Sequence, residues 1–256
     1  MSGQREMGGT KDILGYAVDA RGIRPCIDEI LAWTERGRSC RWLGCINPHS
    51  YAVAREDGRF ESALRGADWL VPDGAGILLA GKVLGAPIPE RVTGSDVFEG
   101  VMAGLDARGG GRVFFLGSTG STLAKIREKC ARDFPNVEVV GTYSPPFVPA
   151  YSEEETRAMC DAVAAASPDV LWVGMTAPKQ EKWIAENRHR LEARFAAAIG
   201  AVFDFYVGNV KRSHPAFQRV GLEWLPRLVQ EPRRLWRRTF VSGPRFLWDV
   251  ARARAA

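Results

Sequence analysis

Two kinds of hydrophobic pattern alternate along most of the chain. Short, mostly apolar runs predict strands, and they lie at residues 13–18, 42–46, 68–71, 112–116, 137–140, 170–173 and 195–203. The last run predicts one or two strands around Gly200. Between the runs, apolar residues recur at helical spacing. Helices are predicted at residues 25–33, 49–64 with a break at Gly58, 76–84, 95–105, from the turn at 117–120 to about 133, 153–166, and from about 178 onward.

This alternation of strands and helices predicts an α/β fold with a mostly parallel sheet and helices on both faces. The pattern changes after Ser213, where prolines divide a basic, helical segment into short pieces. We therefore predict a sheet domain over residues 1–210 and a basic helical C-terminal appendage over residues 211–256.

The composition limits the class of protein. With 256 residues, of which 46% are apolar, the chain can bury a sizeable core. Its five cysteines form no CxxC pair and no cluster with histidine, which argues against a disulfide framework and a structural zinc site and favours a reducing compartment. No signal peptide is visible at the N-terminus. The longest apolar stretch, 195–203, is far shorter than the roughly 20 residues that span a bilayer as a helix.

Positive charge is concentrated in the appendage. Residues 215–256 hold nine arginines, three acidic residues and no lysine, and tryptophans lie among them. Short basic helices with tryptophan are typical of an anionic membrane surface. A helical cap on the sheet domain is compatible with that role, and a nucleic-acid surface is the competing interpretation; we expect no nucleic acid. The arginines expected to contact lipid or diphosphate are Arg227, Arg233, Arg234, Arg237 and Arg238.

Polar residues follow several predicted strands. Asp73 stands after the run at 69–71, in the sequence VPDGAG, and Asn47 follows the preceding strand. Asp204 follows the last run. Since the carboxyl ends of parallel strands meet at one edge, these side chains can converge there, where open α/β sheets bind ligands. The alternative for Asp73 is that it caps a helix.

Two turns and one arginine add candidate chemistry, each with a plainer alternative. The turn at Gly117 and Ser118 can offer backbone N–H groups to a phosphate, or it can be an ordinary strand–helix turn. Gln180, at the start of a helix, can donate and accept hydrogen bonds to a sugar or a base, or it can simply be solvated. Arg91 is either a diphosphate clamp or a surface arginine. The chain has no DxD, GxGxxG or Walker motif, and its three histidines are isolated.

Several motifs, taken in order, resemble the WecG/TagA/CpsF glycosyltransferases. They are NP (47–48), AD (67–68), VPDGAG (71–76), ERVTGSD (90–96), FLGS (115–118), YSPPF (143–147), GMTAPKQEKW (174–183) and GAVFD (200–204). The match covers roughly residues 10–245.

The resemblance implies a Rossmann-like fold and an inverting, metal-independent transferase without a cofactor. Such an enzyme moves a sugar from a UDP-sugar to a polyprenyl-diphosphate-linked saccharide, in exopolysaccharide, capsule or wall-polymer synthesis. It implies a cytoplasmic location, peripheral on the inner face of the membrane, with the appendage touching the lipid. The residues leave open the donor sugar, the acceptor glycan and whether the protein is a homo-oligomer.

The resemblance also implies roles for single residues. Asp73 falls on the proposed general base, Arg91 on the residue that stabilises the leaving diphosphate, and Gln180 on a ligand of the sugar or phosphate. The remaining positions implied to bind substrate are Asn47, Cys45, Gly117, Ser118, Tyr143 and Asp204. Cys45 replaces a threonine found in some members, which puts its role in question. A non-catalytic nucleotide-binding or scaffold protein of the same fold, also at the membrane, is the alternative function.

Overall fold

A short antiparallel hairpin begins the part of the chain that the structure shows. The computed structural model describes residues 9–210 and 237–255. Strands β1 (Thr10–Ile13) and β2 (Tyr16–Asp19) pair antiparallel. The single strand predicted at 13–18 is therefore wrong. Leu14 and Gly15 form the turn with positive φ angles, and Gly15 N donates to Asp12 Oδ1 (3.0 Å). Because Leu14 is apolar, the hydrophobic pattern concealed this turn.

The central sheet has six strands, all of them parallel, where the alternation of strands and helices predicted a mostly parallel sheet. They are β3 (Arg41–Ile46), β4 (Trp69–Pro72), β5 (Gly111–Gly117), β6 (Val137–Tyr143), β7 (Val170–Gly174) and β8 (Phe195–Ala198). Their spatial order is β4-β3-β8-β7-β5-β6. Every carboxyl end consequently lies at the same edge of the sheet.

Helices connect the strands and cover both faces of the sheet. They are α1 (Ile23–Arg36), α2 (Pro48–Ala54), α3 (Gly58–Gly66), α4 (Ala75–Val83), α5 (Gly94–Ala107), α6 (Gly120–Asp133), α7 (Glu153–Ala166), α8 (Lys179–Asn187) and α9 (Val202–Tyr206). The predicted break at Gly58 is confirmed, since α3 begins there. The apolar run at 195–203 holds one strand, not two: Gly200 has a φ of 55° and turns the chain into α9.

The sheet separates two hydrophobic layers. On one face lie the hairpin, α2, α3, α4, α7 and α8, and on the other lie α1, α5, α6 and α9. Neighbouring residues of a strand serve opposite layers, as Leu171 and Trp172 of β7 do. Aromatic pairs in edge-to-face contact fill the second layer, for example Phe98 with Trp172 at 5.1 Å between ring centres.

The C-terminal part packs into the first of these layers. A π-helical turn, Arg237–Ser242, leads into α10 (Gly243–Ala255). Phe246 and Val250 are buried against the sheet domain, and Phe246 meets the Tyr51 ring of α2 at 5.2 Å. Tyr51 also donates its hydroxyl to Asp249 Oδ2 (2.9 Å). This helix is thus a cap on the sheet domain, which is one of the arrangements that the sequence left open.

Candidate active site

The strand ends form a crevice where the connections diverge. After β3 the chain enters α2 and α3 on one face, whereas after the neighbouring β8 it enters α9 on the other. Ligands of open α/β sheets bind at such a point, because no connection crosses it. Asn47 follows β3, and Asp73 follows β4 beside it. The structure therefore places both residues at the expected edge.

Asp73 and Asn47 are in direct contact. Asn47 Nδ2 donates to Asp73 Oδ2 at 3.3 Å, and Asp73 N donates to Ile46 O at 2.8 Å. The N-cap position of α4 is Gly74. The alternative that Asp73 is this N-cap is therefore not what the structure shows. Its half-buried carboxylate is instead held against the end of the neighbouring strand.

The orientation of the Asn47 amide is fixed by its own helix. Asn47 is the N-cap of α2, and its Oδ1 accepts from the backbone N–H groups of His49 and Ser50, both at 3.0 Å. Ser50 returns the contact by accepting from Asn47 N at 2.8 Å. With the oxygen committed to the cap, only the NH₂ group is left to face Asp73. The cap thus positions the carboxylate.

Arg91 belongs to a segment that is pinned beside Asp73. Val92 N donates to Pro72 O at 3.0 Å, and Glu90 accepts from Ile23 N at 2.7 Å on the other side of Arg91. Two residues later Thr93 begins α5 as its N-cap, with a reciprocal bond to Asp96. Because the Val92 backbone contact and the Glu90 side-chain contact flank Arg91, this half-buried residue lies next to the end of β4.

Cys45 lies on β3, two residues before Asn47. Burial, above all, raises the pKa of its thiol well above the ordinary value, and the carboxyls of Asp73 and Glu181 raise it further. The thiol is accordingly neutral, and thiolate chemistry is disfavoured here. A neutral hydrogen-bonding group at this position is also what a threonine would supply.

Gln180 sits at the centre of the edge, in the first turn of α8. Its Oε1 accepts from Met175 N (3.2 Å), just after β7, and from Gly200 N (3.0 Å), just after β8. Its Nε2 donates to Glu181 Oε1 at 2.9 Å. Gln180 and Glu181 are both only 4% exposed. The Gln180 side chain thus joins the ends of β7 and β8.

The turn after β5 is shaped for close backbone approach. Gly117 has a φ of 121°, and a Cβ there would overlap Gly174 O. Ser118 N donates to that carbonyl at 3.1 Å, and Ser118 O accepts from Ser144 Oγ at 2.8 Å. Ser144 directly follows Tyr143, the half-buried last residue of β6. The turn and the end of β6 are therefore joined, at the amino end of the 14-residue helix α6.

Asp204 lies in the first turn of α9, on the side of α6, and not at a strand end. Asn209 Nδ2 donates both to Asp204 Oδ1 (3.2 Å) and to Thr122 Oγ1 (3.1 Å) in the first turn of α6. The structure thereby brings Asp204 toward the turn at 117–120. The residues around the turn at 117–120 are separated from the pair Asp73 and Asn47, since β3 and β5 are three strand spacings apart, roughly 14 Å.

Comparison with known proteins identifies the family of the chain. The sequence model of the glycosyl transferase WecG/TagA/CpsF family matches residues 11–256. The chain belongs to this family, and it is a glycosyltransferase.

Three relatives of this WecG/TagA/CpsF protein share one name. An N-acetylglucosaminyldiphosphoundecaprenol N-acetyl-beta-D-mannosaminyltransferase of Bacillus spizizenii is 36% identical over 204 residues, covering 80% of this chain and 76% of the relative. Enzymes of the same name from Bacillus subtilis and Staphylococcus aureus MW2 are 28% and 23% identical, covering 81% and 95% of this chain and 78% and 92% of the relatives.

The arginines predicted to contact lipid or diphosphate cannot be placed in the site of this WecG/TagA/CpsF enzyme. Arg227, Arg233 and Arg234 lie outside the described residues. Arg237 and Arg238 begin the π-helical turn, of which the structure describes only the backbone at these two positions. Their role remains a prediction. Among the described helices, none combines the length and apolar character needed to cross a bilayer.

Two further residues support the site of this WecG/TagA/CpsF enzyme. Lys179 Nζ donates to Val148 O at 2.7 Å and lies 4.3 Å from the centre of the Tyr151 ring, so it holds the loop after β6. Glu181 is buried beside Gln180. The sequence shows only that Lys179 and Glu181 lie in the same motif as Gln180. From the sequence pattern, a buried glutamate at a helix start cannot be distinguished from a solvated one.

Proposed function

We propose that the protein transfers a sugar from a UDP-sugar to a polyprenyl-diphosphate-linked saccharide, with inversion and without a metal ion, in the synthesis of a cell-surface polymer. The observation that carries this proposal is the oriented carboxylate of Asp73 beside Asn47 and the pinned Arg91, at the crevice of the sheet. The names of the relatives specify an N-acetylmannosaminyl donor group and an undecaprenyl-diphosphate N-acetylglucosamine acceptor. We extend both to this chain as the first candidates.

In this mechanism Asp73 is the general base. Its carboxylate takes the proton of the acceptor hydroxyl while that oxygen attacks the anomeric carbon of the donor. The bond from the sugar to UDP breaks on the opposite face, and UDP leaves with the bonding electron pair. One displacement inverts the anomeric configuration, and the relatives' names specify a β linkage in the product. Asn47 keeps the carboxylate oriented while it works.

Arg91 takes up the charge on the leaving group. The diphosphate gains negative charge as its bond to the sugar breaks, and a fixed guanidinium stabilises that charge more in the transition state than in the bound donor. Arg91 is a permanent cation whose neighbour Val92 is bonded to Pro72 at the end of β4, and it would supply the stabilisation that other transferases obtain from a metal. This is the basis on which we propose that the reaction needs no divalent ion.

The other group of residues suits the nucleotide. The amino end of α6, which follows the turn at Gly117 and Ser118, presents the backbone N–H groups of its first turn, and such groups favour a phosphate. Tyr143 and Asp204 lie near this turn and are assigned to the uridine. A nucleotide-sugar laid along the edge would thus reach from the end of β6 toward Asp73, with Gln180 between them.

Exposed apolar side chains support a membrane contact. On α10, Leu247 is 48% and Trp248 is 69% exposed, and on α4, which packs against α10, Leu79 is 50% exposed. Arg252 and Arg254 follow in the last turn of α10. Apolar residues rimmed by arginine suit an anionic lipid surface. Since α4 starts directly after Asp73, docking there would bring a lipid-linked acceptor to the base from the inner face of the membrane.

A donor screen tests the proposed function. Purified full-length protein is incubated with undecaprenyl-diphosphate N-acetylglucosamine in vesicles and with UDP-activated N-acetylmannosamine, its uronic acid, glucose or glucuronic acid. We expect UDP release and a lipid-linked disaccharide with the N-acetylmannosamine donor, in EDTA as in its absence. Transfer that occurs only with added divalent ions would refute metal independence, and no transfer from any UDP-sugar would refute the proposed function.

A further inference from the structure

Glu181 is a buried carboxyl that no step of the mechanism uses. It follows Gln180 on α8, is 4% exposed, and has one oxygen, Oε2, for which the described residues provide no hydrogen-bond partner. Burying a carboxyl without its full set of partners costs free energy, so an apolar side chain would stabilise the fold better. A buried carboxyl that lowers the stability of the fold suggests a functional role for Glu181.

The hydrogen bonds around Gln180 supply that explanation. Two backbone N–H groups, of Met175 and Gly200, both point at the same amide atom, which must therefore be the oxygen. The NH₂ end then faces Glu181, whose Oε1 accepts from it. If the carboxyl were absent, the two backbone N–H groups would still hold the amide oxygen, but nothing in this set of bonds would hold the NH₂ end.

We propose that Glu181 is a positioning residue for the transfer: its buried carboxyl holds the Gln180 amide so that the ends of β7 and β8 keep the spacing that the donor site requires. The inference rests on the proposed function, since it assigns the donor to this part of the edge. Glu181 touches no substrate in this scheme, and it acts through Gln180.

The surroundings of Glu181 favour the protonated form of its carboxyl. Burial raises its pKa to about 7, against the opposing effects of the Gln180 bond and of Lys182 on the same helix. From β3, Cys45 faces it, and the Cys45 thiol also feels Asp73. Lys182 is bound to Asp57 at 2.8 Å. Ionisation of Glu181 would therefore add a second negative charge under a site that must hold a diphosphate.

Two substitutions separate these contributions. Glu181→Gln keeps an oxygen that accepts from Gln180 but cannot ionise, whereas Glu181→Ala removes the acceptor. Glu186→Gln is the matched control, because it makes the same change at an exposed residue of the same helix. The kcat and the KM for the donor are measured from pH 5.5 to 8.5 for each variant and for the wild type.

We expect the donor KM of the wild type and of Glu186→Gln to rise as the pH passes about 7. Glu181→Gln should stay within about threefold of the wild type at pH 6 and lose this rise. Glu181→Ala should raise the donor KM about tenfold above that of the wild type at pH 6, as expected for the loss of a buried hydrogen bond, and should also lack the rise with pH. In a Gln180→Ala background the same change should have less than about a twofold effect, since the partner is already gone.

The inference would be overturned by a pH profile of Glu181→Gln that matches the wild type, or by an effect of Glu181→Ala that persists in full in the Gln180→Ala background. If Glu181→Ala does not fold, the profile of Glu181→Gln decides. Calorimetric titration with UDP over the same pH range gives an independent reading. A wild type that binds UDP with the expected pH dependence, but transfers no sugar, would refute the proposed function and leave this inference standing.

Discussion

Asn47 shows how one side chain serves both a helix and a site. Its oxygen completes the cap of α2, and its NH₂ group, left over from that cap, faces Asp73. A serine or threonine would cap the helix about as well but would not offer a second, opposite donor group. The requirement for asparagine therefore comes from the carboxylate, and the cap supplies the rigidity.

The first prediction at this scale concerns Asp73. Asp73→Asn removes the base but keeps the size of the side chain, so the rate of sugar transfer should fall by about 10²–10⁴-fold. UDP should still bind, because the nucleotide residues lie at β5 and β6. Transfer is followed by UDP release and UDP binding by calorimetry. Asp161→Asn, an exposed change on α7, is the control and should keep full activity; wild-type turnover in Asp73→Asn would exclude Asp73 as the base.

The second prediction concerns stability at Glu181. Its pKa is about 7 in the folded protein and about 4.5 in the unfolded chain. Below pH 4.5 both forms are protonated and no stability is lost. As the pH rises from 4.5 to 7, the unfolded chain ionises first, so the free energy of unfolding decreases and then levels off above pH 7. The loss is about 3 kcal/mol in magnitude.

Glu181→Gln cannot ionise and should escape this loss. Its free energy of unfolding should exceed that of the wild type by up to about 3 kcal/mol at pH 8 and converge with it near pH 4. Urea unfolding at both pH values measures the difference. Glu186→Gln is exposed and should give no such pH-dependent gain. An equal increase in the free energy of unfolding at pH 4 and pH 8 would mean that ionisation of the Glu181 carboxyl is not the cause.

At the scale of elements, the contact between α4 and α2 holds the two strand ends together. Gly76, in the first turn of α4, lies so close to the ring of Pro48, the first residue of α2, that a Cβ would overlap the ring. Since Asp73 and Asn47 directly precede these helices, their separation depends on this approach. Gly76 is thus needed for its small size and not for its backbone angles.

Gly76→Ala should therefore act on both stability and catalysis. Although alanine favours helices, the overlap should lower the free energy of unfolding by about 1–3 kcal/mol. Displacement of α4 should also lengthen the contact between Asn47 and Asp73 and slow transfer. Thermal unfolding and UDP release measure the two effects. Gly58→Ala, at the start of α3 with open space around it, is the control and should be neutral or slightly stabilising.

The elements themselves were largely predictable from the sequence. Strands buried on both faces are continuous apolar runs, and β4, β7 and β8 are buried at every position. The edge strand β6 is mostly half-buried and contains Glu138, but its valines still predicted a strand. The failures occurred where a turn used apolar residues. Leu14 continues the run through the hairpin turn, and Val202 and Phe203 continue it from β8 into α9. Only long-range packing, such as Phe203 against Phe115, distinguishes these cases.

At the scale of the whole molecule, the sequence predicted which residues lie at the carboxyl edge of the sheet. It did not predict that they form two separate groups. Parallel strands place Asp73, Asn47 and Gln180 at one edge whatever their order. The order of the strands, which separates the pair Asp73 and Asn47 from Ser118, follows from packing over the entire chain. Likewise, no local pattern shows that Gln180 is buried with its oxygen committed to backbone groups.

The membrane contact gives a prediction for the entire protein. Trp248→Asp replaces an exposed apolar side chain by a charge without disturbing the buried Phe246 and Val250. Binding to vesicles that contain anionic lipid should fall about tenfold or more, while transfer to a short, water-soluble acceptor should be retained. Co-sedimentation measures binding. Ala251→Asp, which adds the same charge at an exposed position of α10, is the control; equal losses in both variants would point to charge alone.

The docking of α10 on α2 makes the site depend on the whole length of the chain. His49 Nδ1 and Ser242 Oγ share a hydrogen bond of 2.9 Å, and Tyr51 reaches Asp249 across 198 positions of sequence. During synthesis, α2 emerges with Asn47 already capping it, but its outer surface stays uncovered until the last described helix has been made. A nascent chain can thus form the sheet before the C-terminal segment packs on α2, the helix that Asn47 caps.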